Sequence, residues 1–576
     1  MTPALLVLVL ACTRGADSRS PDHSGSPDES GQDSTPDSHD TRETDSPADS
    51  PIDSPVDTNP VPPPCEPHLP YTLDPADPLP GQPLTVRYTG TLAGSAMPGL
   101  RYGYNGWNSI GEGLPYQSLN TVGDIDFWLD APLTVETDGS ASVTFDVPDD
   151  ARSVHLRFFA GPDDSTRVWD DDSGREYGAS IVFPYIGPFL TWDAATSPSG
   201  GVVVNFETSL PCPAHVEFGT TSALGSTVGD DVADPMHHVE LTGLAPDTTY
   251  TYRVVDGEGR MSDTFQFRTA PADMSRLEYV VLADMQDGGD GRTAWKELAD
   301  ALAWEHPDAD FLMLGGDMPT SDMPGRWWTF FDKARALFAS KVIMPAVGNH
   351  DTPNGDAYDP DTTSFDRYFR LPEPGGVYSF QVGPAWFLVL DSDRAEAEFI
   401  EGGAQYLWTQ SELAAPPADA RWVFTNWHRP PYEAGARFLA EQPTIRAVTE
   451  LFDGEVDWVF TGHSHSYQRI VPLRFDSLAM RTYGRGSADG VGYIVTPSSG
   501  IEPKHDMVHA DDPTYAYLRD LVAYPEIHSD TSAFGGEIGW MHVALQDETI
   551  RIEAWGMGRP GALLTPHVID QLQYTR

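Results

Sequence analysis

The chain has 576 residues, 87 of them acidic and 35 basic, for a formal net charge of −52. So acidic a surface repels phosphate backbones and argues against nucleic-acid binding through a basic patch. Three cysteines (Cys12, Cys65, Cys212) are too few for a disulfide scaffold or a thiolate zinc cluster, and no apolar run is long enough to span a bilayer.

Residues 1–16 read as a signal segment. The short apolar run Ala4–Leu10 ends at Ala11-Cys12 and suits the core of an export signal. Val9-Leu10-Ala11-Cys12 resembles a bacterial lipoprotein cleavage site, which implies a lipid on Cys12 and an extracytoplasmic protein anchored at the cell envelope. No Lys or Arg precedes the run, so plain secretion is the other reading. Residues 17–65 are dominated by Asp, Ser, Pro and Thr and have no aromatics. Such a stretch cannot offset its ordering entropy by burial, so an extended, disordered linker is expected. Cys65 and Cys212 either pair in an oxidising compartment or stay as two thiols.

Residues 66–186 show short alternating runs at Leu84–Tyr88, Ala141–Val147, Val154–Phe159 and Ser180–Phe183, separated by Gly, Pro and Asp clusters. This is a β-sandwich pattern. Two aromatic clusters, Tyr102 to Asn108 with Trp107 and Trp169 to Tyr177, stand out. The stretch from Val154 to Tyr177 resembles starch-binding carbohydrate modules, which implies a glycan partner for this domain. The same aromatics also suit a buried core. Residues 187–270 form a second β module. Thr248–Val254 and Phe265–Arg268 read as the last two strands of a fibronectin-III-like sandwich, and His237 and His238 as strand-surface residues.

From residue 275 to 576 short apolar runs alternate with helical spacing. The runs are Tyr279–Leu282, Phe311–Leu314, Val342–Val347, Trp386–Leu390, Trp422–Thr425 and Trp458–Thr461. Trp295, Leu298, Ala299 and Leu302 share one helix face within Thr293–Glu305. The fold class expected is multidomain: two N-terminal β-sandwiches, then an α/β domain. Tyr493–Thr496 should return to its sheet, and Trp540–Gln546 and Thr549–Trp555 should close it.

Metal-ligating residue types follow five of these runs at once. They are Asp284, Asp317 after Gly315-Gly316, Asn349-His350-Asp351 after Gly348, His428, and His463 and His465 after Gly462. In α/β sheets such residues gather at the carboxyl edge, and five strand ends are expected to converge on one sheet edge. One carboxylate, Asp317, can bridge two cations about 3.5–4 Å apart. Asn349 adds a carbonyl oxygen and the histidines add imidazoles, a mixed shell that suits iron, manganese or zinc. Two such ions would polarise phosphoryl oxygens and generate a bound hydroxide for in-line attack. His350 is placed to protonate the leaving group.

The stretch Leu277–Ile470 resembles the calcineurin-like metallophosphoesterases, and more narrowly the purple acid phosphatases. The motifs are Asp284, Gly316-Asp317, Gly348-Asn349-His350-Asp351, His428-Arg429-Pro430-Pro431-Tyr432, and Gly462-His463-Ser464-His465 through Arg469. Leu241 to Tyr250 is similar to a phrase of the family's N-terminal module. The resemblance implies a four-layer α/β catalytic domain and hydrolysis of phosphate monoesters. It also implies two metal ions, one on Asp284, Asp317 and His465, the other on Asp317, Asn349, His428 and His463. The chain departs from the pattern twice. Thr320 stands where these phosphatases have a tyrosine ligand, and Gln286 where most relatives have a histidine. Either Gln286 or water completes the first site, and no ferric–tyrosinate colour is expected. No histidine stands about ten residues beyond His428, where only Arg437 is near; His505 and His509 read as loop residues. Two rival readings remain: a phosphodiesterase on cell-envelope or nucleotide phosphates, and a degenerate phosphoesterase serving as a glycan-binding surface protein.

Overall fold

The computed structural model describes residues 69–576 except 76–77, 106–116, 122–123, 150, 171–176, 274, 287–293, 354–363, 374, 394–397, 434–441, 476–477, 504–520, 525–535 and 563. The expected signal segment and linker, Cys12, Cys65, Trp107, Arg437, His505 and His509 all lie outside the described residues.

The N-terminal described residues form two antiparallel sheets around a common core. Pro83–Tyr88 pairs with Tyr71–Asp74 and Ala141–Asp146 in one sheet, and Pro98–Tyr104 pairs with Ser153–Ala160 in the other. Every second residue points inward, so Leu84, Val86 and Tyr88 meet Leu100, Tyr102, Val154, Leu156 and Phe158. Tyr102, Tyr104 and Tyr177 belong to this core. Trp169 is half-buried, with the guanidinium groups of Arg101 and Arg157 each 4.9 Å from its ring centroid. The strand expected at Ser180–Phe183 instead ends at Ser180 (Tyr177–Ser180), and the next, Ile186–Thr191, starts beyond Pro184. Proline has no N–H to give a ladder.

In the second module Gly201–Gly219 and Ser226–Thr242 form a long antiparallel pair, interrupted by register shifts between Glu207 and Ala214. Thr249–Asp256 and Phe265–Arg268 are the two anticipated closing strands. His237 is not on the surface. Residues 237, 239 and 241 share the inward face, and the His237 ring stacks on Phe206 at 4.9 Å. Ile186–Thr191 also pairs in parallel with Val342–Pro345, so the module's strands run into the first sheet of the next domain.

Two large sheets carry that domain. The first carries Val342–Pro345, Phe311–Leu314 and Arg276–Leu282 in parallel, then Gly539–Gln546, Thr549–Gly556 and His567–Thr575 antiparallel. The second runs Tyr378–Val382, Ala385–Val389, Trp422–Asn426, Trp458–Thr461, Gly492–Val495, Gln468–Ile470 and Val522–Tyr524. Tyr279 joins the two sheets, its ring centroid 5.2 Å from Phe311 on its own sheet and 5.2 Å from Phe387 on the other. Along Ala385–Val389, Phe387 enters this shared core. Trp386 and Leu388 point the other way and pack with Tyr406, Leu413, Val448 and Phe452. Helix Trp295–Glu305 buries Trp295, Leu298, Ala299 and Leu302, the face its sequence spacing marks.

The residue that follows this helix, His306, accepts a hydrogen bond from the Trp540 indole (3.0 Å) and stacks on His542 (4.2 Å). Burial, helped by the nearby His542, pushes its pKa down to about 3. The folded state therefore keeps it neutral where the unfolded chain takes up a proton. Its contribution is fully present above pH ~6.5 and is lost as pH falls toward 3. Going from pH 7 to pH 5 should cost at most about 2 kcal/mol from this residue. Urea midpoints measured across that range should fall less steeply for His306→Gln, which keeps an acceptor for Trp540. Equal slopes would exclude His306 as a source of the acid sensitivity.

Candidate dinuclear metal centre

Side chains that follow parallel strands share an edge. Asp284 and Gln286 follow Arg276–Leu282, Asp317 follows Phe311–Leu314, and Asn349 and His350 follow Val342–Pro345. His428 follows Trp422–Asn426, and His463 and His465 follow Trp458–Thr461. The five strand ends expected on one sheet edge therefore belong to two sheets, three to one and two to the other. Chain order alone does not tell which consecutive strands share a sheet, whereas the common aromatic core brings both edges together.

Two groups of ligand atoms result. Asp317, His428 and His463 form one, Asp284, Asp317 and His465 the other, each with its atoms within 4.8 Å of one another. Asp317 belongs to both. His428 Nε2 lies 3.2 Å from Asp317 Oδ1, and His465 Nε2 lies 3.4 Å from Asp284 Oδ1. His463 Nδ1 faces His428 Nε2 at 3.2 Å. Asn349 Oδ1 is buried and, among the described residues, accepts no hydrogen bond. A buried acceptor of this kind is costly unless something else binds it, and a cation does so. The donor set therefore fits a metal pair. His350 is half-buried, its Nδ1–H donating to the Thr320 carbonyl and its Nε2 lying 3.9 Å from Asp317 Oδ2.

The backbone is arranged around these side chains. The Nδ1–H of His428 donates to the Gly315 carbonyl at 2.8 Å, which leaves Nε2 to face the site. The His463 backbone N–H meets both Asp284 oxygens at 3.0 and 2.9 Å. Asp351 accepts from the backbone N–H groups of Asp317, Met318 and Gly348 at 2.8–2.9 Å, clamping two ligand loops together. A Cβ on Gly348 would sit 2.3 Å from the Asp317 nitrogen, so no other residue fits there.

Burial alone would raise the pKa of Asp317, but the imidazoles of His428, His350 and His463 hold it well below the usual carboxylate range. Burial would likewise lower the pKa of His428, yet the carboxylates of Asp317, Asp284 and Asp393 raise it to about 10. The pocket is thus an acidic cage that draws positive charge, protons in the metal-free chain and cations otherwise.

The structure brings Asp284, Asp317, His428, His463 and His465 together, with His350, the residue read as the proton donor, beside Asp317; Asn349 follows the same strand end as His350. The structure adds others that the sequence reading passed over. Asp351 stood in the quoted motif without a role. Arg429 pairs with buried Asp393 at 2.7 Å and sets Nη1 3.2 Å from His463 Nε2. Buried Glu433 accepts from Ser464, between the two ligand histidines. Asp393 had a readable signal, because Asp391-Ser392-Asp393 follows a sixth strand end.

Known proteins match in the same regions. Residues 277–467 match the calcineurin-like phosphoesterase family and residues 189–269 the purple acid phosphatase N-terminal domain. Purple acid phosphatase 21 of Arabidopsis thaliana is 27% identical over 250 residues, covering 41% of this chain and 54% of that protein. An uncharacterized Mycobacterium tuberculosis protein is 28% identical over 276 residues, covering 42% and 51%. The solved purple acid phosphatase PPD1 of yellow lupin seeds shares the fold with a TM-score of 0.57 at 15% identity, covering 86% of this chain and 93% of its own. Residues 277–467 thus form a calcineurin-like phosphoesterase domain, and the fold of that domain with the two ligand groups implies a dinuclear metal centre. Ahead of it, residues 189–269 form a purple acid phosphatase N-terminal domain, and the chain shares its overall fold with a solved purple acid phosphatase. The chain spans about half the length of the curated relatives it matches.

Asp351→Ala would strip three buried N–H groups of their acceptor. We expect a loss of about 3 kcal/mol or more together with reduced metal retention, read by thermal denaturation and elemental analysis. Wild-type stability with full metal content would refute the clamp.

Proposed function

We propose that the chain is an exported dinuclear-metal phosphoesterase that hydrolyses phosphate monoesters. The observation that carries this reading is the sharing of Asp317 between two groups of ligand atoms. Asp284, Asp317 and His465 would hold one metal, and Asp317, Asn349, His428 and His463 the other. Bound there, two cations supply Lewis-acid polarisation of the phosphoryl group and of water, and manganese, iron or zinc suits the donors.

The protein's own groups do the rest. His350 is oriented by the Thr320 carbonyl and leaves Nε2 beside the Asp317 carboxylate, half-open to solvent. From there it delivers a proton to the departing alkoxide. Arg429, fixed on Asp393, adds positive charge at the His463 side, where it favours a phosphate dianion. Monoester preference draws its support from the relatives named as phosphatases. Export draws its support from the N-terminal sequence, with a lipid on Cys12 as the expected anchor. Trp169 is the half-buried aromatic at which a glycan role for residues 66–186 would be sought.

The test is elemental analysis together with hydrolysis of an aryl phosphate monoester and the matching diester. Wild type should hold about two metals and prefer the monoester. Asp317→Asn should lose metal and activity together. His350→Ala should keep both metals but lose roughly 10²-fold or more in kcat. A faster diester reaction would instead favour the phosphodiesterase reading. A metal-free, inactive wild type would favour the degenerate binding protein.

A further inference from the structure

Each ligand group has three residues; the second gains a fourth proposed ligand in Asn349, whereas neither a tyrosine at position 320 nor a histidine at position 286 completes the first. Gln286 stands at the gap. It is 2% exposed, and its side-chain N–H donates to Asp317 Oδ2. That is the oxygen turned away from His428, which lies 3.2 Å from Oδ1. The Gln286 backbone N–H donates to the Asp317 carbonyl at 3.2 Å, so main chain and side chain are both docked on the shared aspartate.

The backbone carries a second, independent mark. Asp284 (φ 56°), Asp317 (56°), His463 (71°) and His465 (50°) are all left-handed, and so is Gln286 (36°). A non-glycine residue in this region is strained and persists only where its surroundings hold it there. Among the described residues of this site, the other four left-handed side chains are all proposed ligands. Gln286 shares their backbone state, their burial and their contact with Asp317.

A carboxamide carries donor and acceptor on one carbon, and a half-turn of its last torsion exchanges them. The edge that offers N–H to the carboxylate in the metal-free chain then offers Oε1 to a cation held by that carboxylate. We infer that Gln286 Oε1 is the fourth protein ligand of the first metal, beside Asp284, Asp317 and His465; this rests on the dinuclear reading above and deepens it. The first site then has three oxygens and one nitrogen. The second, from Asp317, Asn349, His428 and His463, has two of each. The first site is therefore the harder one. It takes an oxygen-preferring divalent ion such as manganese, while the second takes zinc or ferrous iron.

The test compares wild type with Gln286→Met, which keeps the side chain's length without an oxygen, and Gln286→Glu, which keeps an oxygen ligand. Metal-free protein is titrated with manganese and zinc, and metal content and affinity are read by elemental analysis and calorimetry, with thermal denaturation as the check on folding. Wild type should bind two ions, with manganese favoured at one site. Gln286→Met should bind the first ion at least tenfold more weakly while the second site is unchanged. Gln286→Glu should bind it as tightly as wild type or tighter. If Gln286 only braced Asp317 through its N–H, the added carboxylate would repel Asp317 and both variants would lose metal; that result overturns the inference. Two undiminished ions in Gln286→Met overturn it as well, while leaving the dinuclear centre standing. Fewer than two ions in wild type defeats both readings.

Discussion

Two buried carboxylates, Asp284 and Asp317, are held side by side where two sheets meet, and that proximity is the constraint on which the rest of the site depends. Anions so close in a low-dielectric pocket repel and are poorly solvated, so they need positive charge near them. His428 supplies some as a proton, its raised pKa marking how strongly the pocket draws cations. Asn349 Oδ1, which accepts no hydrogen bond among the described residues, marks a place where a proton-bearing side chain is not the intended partner. Three imidazoles and two carboxylates in two groups that share Asp317 form a receptor for metal ions and serve poorly as a packing solution.

Holding that receptor requires backbone that the chain would not otherwise adopt. Four ligand positions and Gln286 are left-handed, and Gly348 and Gly462 are closed to any side chain, since a Cβ at Gly462 would lie 2.7 Å from the Cβ of Ala283. The cost is supported elsewhere. The strands Phe311–Leu314 and Val342–Pro345 that enter the site are fully buried, the aromatic stack around Tyr279 fixes the two sheets against each other, and the Asp351 carboxylate gathers three N–H groups that the tight turns leave over. Strain is concentrated at the reactive edge and rigidity behind it, which is where preorganised chemistry wants each.

Much of this was legible in the sequence because it is local. A hydrophobic run followed at once by Gly-Asp or Gly-Asn-His reports both a strand and the turn that ends it. Helix Trp295–Glu305 announces its buried face through Trp295, Leu298, Ala299 and Leu302. The pairing of strands was not legible, because it depends on contacts between distant segments. The ligand-bearing strands therefore divide between two sheets instead of lining one, and Ile186–Thr191 reaches across a domain boundary to Val342–Pro345. His237 shows the same limit on a smaller scale. Its polarity suggested the surface, but strand register put it on the inward face beside Phe206. Asp393 and Glu433 escaped notice for a related reason, since their partners Arg429 and Ser464 lie 36 and 31 residues away in the chain.

The departures at positions 286 and 320 belong to one adjustment. A tyrosine at 320 would bring a phenolate to the first metal and favour a ferric ion. With Thr320 the side chain offers no such ligand, and the residue contributes through its backbone instead, its carbonyl holding Nδ1 of His350. The same loop thus orients His350 where a tyrosine would have faced the metal. The oxygen lost from the first site is made up by Gln286, which already rests on the shared carboxylate. A neutral amide in place of an anionic phenolate lowers the negative charge of the cage by one, which matches a divalent ion in place of a ferric one. Ligand set and metal charge shift together, and the bridging geometry of Asp317 is left intact.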